Sequence, residues 1–254
     1  MYGYDDIHNN LRYWMDQLVT AVSRTADEVV IYDVGANDGE LTVPYARDPH
    51  RIVAFEPGPV AQQRLIQRLR EFGGDAAVER VTLYPLALGA QSSTATLHVY
   101  SDDTFSSLHH RRAEDLEQYA LKPADTVTVA VETLDFLSQR DSLPPPHIVK
   151  IDVEGAERDV LRGAAGMLTT HCPALLMEYS CINTTNAGYP REELLDLLRS
   201  SGYDQIYGLY RNSDRHPYTG SALDSCRIWN VLAVPAHMKP LIDQHDPREN
   251  CPRE

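Results

Sequence analysis

Six residues, VVIYDV at 29–34, are nearly all apolar and end at a turn, GANDG at 35–39, where two glycines bracket an Asn-Asp pair. A short apolar run with no polar face is read as a strand buried on both sides. The unit recurs in RIVAFE (51–56), VTLYPLAL (81–88), HIVKIDV (147–153) and PALLMEY (173–179). Helical segments lie between these runs, at 39–47, from Pro59 to the Gly73-Gly74 pair, from Glu157 to Leu168 and from Pro190 to Ser201. Strands alternating with helices predict an α/β fold, a mostly parallel sheet with helices on both faces. The last two runs, YDQIYGLY (203–210) and RIWNVLAVP (227–235), have no clear helix between them and predict an antiparallel hairpin at the edge.

Three segments depart from the alternation. Ile7, Leu11, Met15, Leu18 and Val22 fall on one face of a helix, so residues 1–28 are expected to carry an amphipathic helix that packs on the core or lids it. STATLHVYS (93–101) and TVTVAVETL (126–134) alternate like half-exposed strands around a polar loop, and predict an insertion over the ligand edge at about 92–131. The remaining core domain is then 29–237, with 238–254 read as a flexible tail.

The formal charge of −14 opposes general affinity for nucleic acid or an anionic membrane surface. No apolar stretch is long enough to span a bilayer, and the N-terminus lacks the pattern of a secretory signal. Cys172, Cys181, Cys226 and Cys251 show no paired spacing and are read as free thiols in a reducing cytoplasm.

In a doubly wound sheet, ligands bind outside the carboxyl ends of the strands. Gly35 and Gly39 sit at such an end, where small residues let backbone amides approach a ligand, and Asp33 ends the strand as an acceptor. Glu56 ends the second strand, where a carboxylate can chelate two ribose hydroxyls. The turn is neither G-x-G-x-x-G nor a P-loop, so the pattern points to a nucleoside-bearing cofactor without choosing one. On the fourth strand Asp152 and Glu154, two apart, face one side and suit a cationic cofactor or proton transfer. Glu157 suits the first turn of a helix.

DVGANDG (33–39), FEPGP (55–59), ALG (87–89), TFSSL (104–108), VKIDVEGAE (149–157) and LLMEYS (175–180) together resemble the FkbM family of S-adenosylmethionine-dependent methyltransferases over about residues 29–235. The resemblance implies a Rossmann-like class I methyltransferase sheet of seven strands, the last antiparallel. It implies O-methylation of a hydroxyl on a sugar, polyketide or other secondary metabolite. By position, Gly35, Asn37 and Gly39 are expected along the methionine portion, Glu56 at the ribose, Ala87 and Leu88 at the adenine, and Asp152 near the sulfonium, with Pro57 in the same cofactor set. Asp33, Thr42 and Ser107 complete the expected cofactor set, and TFSSLHHRR is placed to close over it. The chain departs from the family at Asp38, Thr42 and Tyr84-Pro85.

Catalysis is expected from Asp152, Glu154 and Glu178; His109 and His110 are read first as part of a solvated basic loop and only second as candidate bases. The same carboxylates suit Mg²⁺, although the resemblance requires no metal and none is assigned. The acceptor is expected to be a small-molecule hydroxyl, met by a rim of residues 181–190 and 211–220, with neither nucleic acid nor membrane as partner and a homodimer left open. An NAD-dependent oxidoreductase is opposed by the missing G-x-G-x-x-G and Tyr-x-x-x-Lys patterns, and a non-catalytic cofactor scaffold by the acidic residues at 56, 152 and 154.

Overall fold

The computed structural model describes residues 4–210, 219, 223 and 226–243. The strands are β1 (Val29–Val34), β2 (His50–Phe55), β3 (Val81–Tyr84), β4 (Ala87–Leu88), β5 (Ser93–Tyr100), β6 (Pro123–Glu132), β7 (Ile148–Ile151), β8 (Ala174–Glu178), β9 (Gln205–Tyr210) and β10 (Ile228–Val234). Seven of them form one sheet in the order β3-β2-β1-β7-β8-β10-β9. Neighbours are parallel from β3 to β8, and β10 runs antiparallel to both β8 and β9. The predicted terminal hairpin is present, with β10 inside the sheet and β9 at its edge. The order reverses between β1 and β7, which opens a crevice at their carboxyl ends.

Alternate side chains of the strands feed two cores. Val30, Tyr32, Val34, Val149 and Ile151 face one side. There they meet α4 (Leu134–Arg140), α5 (Glu157–Gly163), α6 (Ala165–His171) and α8 (Glu192–Ser200). Val29, Ile31, Ile52 and Ile148 face α1 (Tyr4–Val22) and α2 (Pro59–Glu79) on the other side. Leu11, Trp14, Met15, Leu18 and Val22 of α1 are buried in this second core, so the N-terminal helix packs against the sheet.

Several boundaries differ from the sequence reading. The predicted strand 81–88 divides at Pro85, which has no amide hydrogen to continue a ladder. β3 stays in the main sheet, while β4 joins β5 and β6 in a separate three-stranded sheet. β5, β6 and the connection between them, which holds α3 (Ala113–Gln118), are the segment read as an insertion, and β4 joins them from outside it. The helix expected to stop at Gly73-Gly74 kinks there, with Gly74 at φ 66°, and resumes to Glu79. The helix expected at 39–47 is only a short 3-10 turn at Val43–Tyr45. The helix expected over 157–168 is two, α5 and α6. The first residues of the segment read as a flexible tail form α9 (Lys239–Asp243), with Ile242 buried in the second core.

The cysteine reading is corrected. Cys181 and Cys226 form a disulfide, with Cα atoms 6.0 Å apart across 45 residues of sequence. The antiparallel register explains it, because Glu178 pairs with Asn230 and the chain leaves β8 toward Cys181 just where it enters β10 from Cys226. Cys172 is a half-buried free thiol, and Cys251 lies outside the described residues. No helix among the described residues is long and apolar enough to cross a membrane.

Leu18 is fully buried beneath the sheet. Leu18→Ala is expected to lower unfolding stability by ~2–5 kcal/mol, read from urea denaturation. A loss near zero would show that α1 is a peripheral lid and not part of the core.

Candidate active site

A cavity of about 550 Å³ opens at the β1/β7 crevice. Its walls include Gly35 and Asn37 after β1, Glu56 and Pro57 after β2, Ala87 and Leu88 of β4, Ser107 of the insertion, Asp152 and Glu154 after β7, and Glu178 of β8. Leu11 and Arg12 of α1 and Trp229 and Asn230 of β10 also line it, Asn230 as the register partner of Glu178. These residues come from every part of the chain that the motifs span.

The β1 turn is shaped by close approach. Gly35 has φ 78°, and a Cβ there would stand 1.9 Å from the Asp152 carbonyl oxygen. Only glycine lets β1 and β7 come together at this point. Lys150 lies beneath the turn, its ammonium 3.1 Å from the Asp33 carboxylate and donating to the Gly35 carbonyl at 2.6 Å. Thr42 donates to the other Asp33 oxygen at 2.6 Å. Burial alone would lower the Lys150 pKa, but the carboxylates of Asp33, Asp152 and Glu56 more than reverse this and raise it.

Three residues expected to contact the cofactor, Asp33, Gly39 and Thr42, are not among those lining the cavity. Asp33 is fully buried behind the wall, and Thr42 holds it there. Gly39 faces Leu65 of α2, where a Cβ would come within 2.2 Å of the leucine side chain. The strand-end position was legible, whereas the buried lysine that turns Asp33 inward was not.

Glu56 is held by two amides, Asn37 N–H to Oε2 at 2.8 Å and Gly58 N–H to Oε1 at 2.7 Å. A carboxylate offers about four acceptor positions, so two remain for a pair of hydroxyls. Burial pushes its pKa up to about 7, against the pull of these amides and of Lys150.

At the other end the carboxylates converge. Arg111, a buried residue of the insertion, pairs with Glu154 and also donates to Asn183 Oδ1 at 3.0 Å. Asn183, in α7 (Cys181–Asn186), donates to Glu154 at 2.7 Å and to Glu178 at 2.8 Å. Ser107 donates to the Glu154 carbonyl at 2.7 Å, so TFSSLHHRR is fastened down as a wall. Burial raises the Glu154 pKa to about 7, offset in part by Arg111. Burial, then the charges of Glu154, Asp152 and Glu157, raise Glu178 well above the carboxylate range. Glu157 accepts from the amides of Val153 and Gly155 and thereby closes the turn. His109 is half-buried beside Gly155, and burial lowers its pKa. His98 and His110 pair with each other at 3.7 Å. None of these three histidines is on the cavity wall.

Arg111, Asn183 and Asn230 were not singled out from the sequence. The basic pair Arg111-Arg112 within a conspicuous polar loop was the one available signal for the first. Residues 211–218 of the expected acceptor rim lie outside the described residues.

The FkbM methyltransferase domain matches residues 33–204. Hexuronic acid methyltransferase AglP of Haloferax volcanii is 25% identical over 63% of this chain, which spans 59% of that protein. 2-O-methyltransferase NoeI of Sinorhizobium fredii is 27% identical over 67% of this chain and 71% of its own length. A crystal structure of methyltransferase FkbM from Methylobacillus flagellatus superposes with a TM-score of 0.50 at 19% identity, covering 82% of this chain and 44% of that one. The chain belongs to the FkbM methyltransferase family, and membership carries S-adenosylmethionine as cofactor. Its fold is the Rossmann-like class I methyltransferase fold.

Two substitutions test this construction. Gly35→Ala should abolish measurable S-adenosylhomocysteine binding in calorimetry and cost at least ~1–3 kcal/mol from the positive φ alone. Lys150→Met leaves the Asp33 charge buried without its partner and should cost ~3–5 kcal/mol in denaturant titrations, with much of that recovered in Lys150→Met/Asp33→Asn. Equal stability of the single and double variants would dismiss the pair as a structural element.

Proposed function

We propose that the protein is an S-adenosylmethionine-dependent O-methyltransferase acting on a hydroxyl of a small molecule, such as a sugar, polyketide or other secondary metabolite. The observation that carries this reading is one continuous cavity with Glu56 at one end and the carboxylates Asp152 and Glu178 at the other. The site also fits a bound polar ligand by its unpaired atoms. Asn37 Oδ1, Ser106 Oγ and Glu178 Oε2 are buried without a partner among the described residues, and all three residues line the cavity.

When bound, S-adenosylmethionine supplies a methyl group on a sulfonium centre. In this reading the free acceptor positions of Glu56 hold the ribose hydroxyls, with Pro57 beside them. Ala87 and Leu88 border the adenine, and Gly35 and Asn37 receive the methionine portion. Asp152 aligns the acceptor hydroxyl and takes its proton, and Glu178 stands beside the acceptor. Glu154, already engaged by Arg111 and Asn183, supports its neighbours more than it meets the substrate. Alignment contributes roughly 7–11 kcal/mol, more than the factor of roughly 10²–10⁴ a single base gives.

The two relatives act on a hexuronic acid and at a 2-O position by name, which supports a sugar acceptor here. A cytoplasmic site of action, as the sequence was read, sets the Cys181–Cys226 pair against a reducing environment.

Asp152→Asn should lower kcat by roughly 10²-fold or more while changing cofactor affinity little. Glu56→Gln should do the opposite, since ribose contacts are equal in ground and transition states. Near-normal kcat in Asp152→Asn would remove it as the base. The cofactor's hydroxyls donate to the charged form of Glu56. S-Adenosylhomocysteine affinity should therefore fall as pH drops through about 7, and Glu56→Gln should flatten that dependence. Calorimetry from pH 6 to 8 reads it, and binding of NAD but not the thioether would sink the methyltransferase reading.

A further inference from the structure

Asp152, Glu154 and Glu178 each present a carboxylate oxygen to one point, and these oxygens lie within 4.8 Å of one another. All three residues line the acceptor end of the cavity. Acidic groups alone would not define a site, but Glu178 adds a second observation. It is only 7% exposed, and its Oε2 is buried with no hydrogen-bond partner among the described residues. A buried acceptor atom without a donor costs about 1–3 kcal/mol unless something fills the place.

The charges nearby do not fill it. Arg111 is spent on Glu154, while Lys150 donates to the Gly35 carbonyl and pairs with Asp33. Asn183 bonds to Glu154 and to Glu178 Oε1, which fixes both carboxylates and leaves Oε2 without a donor among the described residues. Oriented carboxylates with outer-shell hydrogen bonds are the arrangement metal ligands require. The span is also right. Opposed oxygens stand about 4.2 Å apart across Mg²⁺ and about 4.6–5.2 Å across Ca²⁺. An all-oxygen set suits Mg²⁺, Mn²⁺ or Ca²⁺ over Zn²⁺ or Cu²⁺.

We propose that Asp152, Glu154 and Glu178 bind one divalent cation of the Mg²⁺, Mn²⁺ or Ca²⁺ class at the acceptor end of the cavity. Binding of the ion is independent of the methyl-transfer reading. Its purpose rests on that reading, because a hydroxyl drawn onto the ion becomes more acidic and is held in place. Asp152 then acts on the acceptor through the ion as well as directly.

The test is a Mn²⁺ titration of the full chain, stripped with EDTA and followed by electron paramagnetic resonance, with and without S-adenosylhomocysteine. One Mn²⁺ per chain is expected, displaced by Mg²⁺ or Ca²⁺ and retained when S-adenosylhomocysteine is bound. Glu178→Gln and Asp152→Asn should each weaken it by about tenfold or more. Thermal melting of both variants checks that they fold, and the wild-type titration decides alone if they do not. Mn²⁺ that stays free at millimolar concentration overturns the proposal. So does expulsion of Mn²⁺ by S-adenosylhomocysteine, or wild-type binding in both folded variants. Calorimetry on the same samples separates the two readings. S-Adenosylhomocysteine binding without Mn²⁺ sinks the ion alone, whereas Mn²⁺ binding without S-adenosylhomocysteine sinks the cofactor reading and keeps the ion.

Discussion

A buried ion pair between the two central strands sets the geometry of everything at the ligand edge. Asp33 ends β1 and Lys150 lies on β7, and both side chains are all but removed from water. Such a pair adds little net stability, since desolvation consumes most of the attraction, but it punishes any arrangement that separates the partners. Here the ammonium also holds the Gly35 carbonyl, so the pair fixes where the turn begins. The turn then presents the Asn37 amide to Glu56, with Asn37 itself at φ 47°. One pair thus links the register of β1 and β7 to the carboxylate proposed for the ribose.

The opposite end depends on a second polar knot. Arg111 bonds to the Phe105 carbonyl and Asn183 and pairs with Glu154, while its guanidinium stacks against Phe105. These contacts join the insertion, the β7 turn and α7 in one network. A loop that looks suited to closing over a ligand is instead already docked. The apolar β4–β6 sheet behind it supplies Ala87, Leu88, Leu97 and Val127 to the wall, so one side of the cavity is apolar and the other acidic. That division suits a cofactor with a flat base at one end and a cation at the other.

What could be read from the sequence followed from local physics. Strands buried on both faces leave continuous apolar runs, and the inner strands of the main sheet are read that way, while the edge strands β3 and β9 carry a more mixed pattern. Gly35 and Glu56, expected from strand ends and a tight turn, line the cavity. Asp33, Gly39 and Thr42 are not among its lining residues, because Lys150 and Leu65 approach them from distant segments. The same limit hid Asn183 and the Cys181–Cys226 bridge. The bridge depends on the β8–β10 register, which brings residues 45 apart within reach, and Asn183 on the approach of Glu154 and Arg111 from distant segments, neither of which a short window reports.

The turn from Asp152 to Glu157 shows how strongly the fold insists on its acidic cluster. Glu154 adopts φ 55°, a conformation that glycine would accept more readily. The backbone is held there from several sides. Glu157 takes the amides of Val153 and Gly155, Ser107 donates to the Glu154 carbonyl, and Arg111 and Asn183 take its side chain. Strain of roughly 1–3 kcal/mol persists only where surrounding contacts over-determine it. What this conformation secures is a third carboxylate beside Asp152 and Glu178, in a place where mutual repulsion opposes it. An arrangement that costs strain and repulsion together, yet is fixed by five separate hydrogen bonds and ion pairs, is built to meet a positive charge from outside the chain.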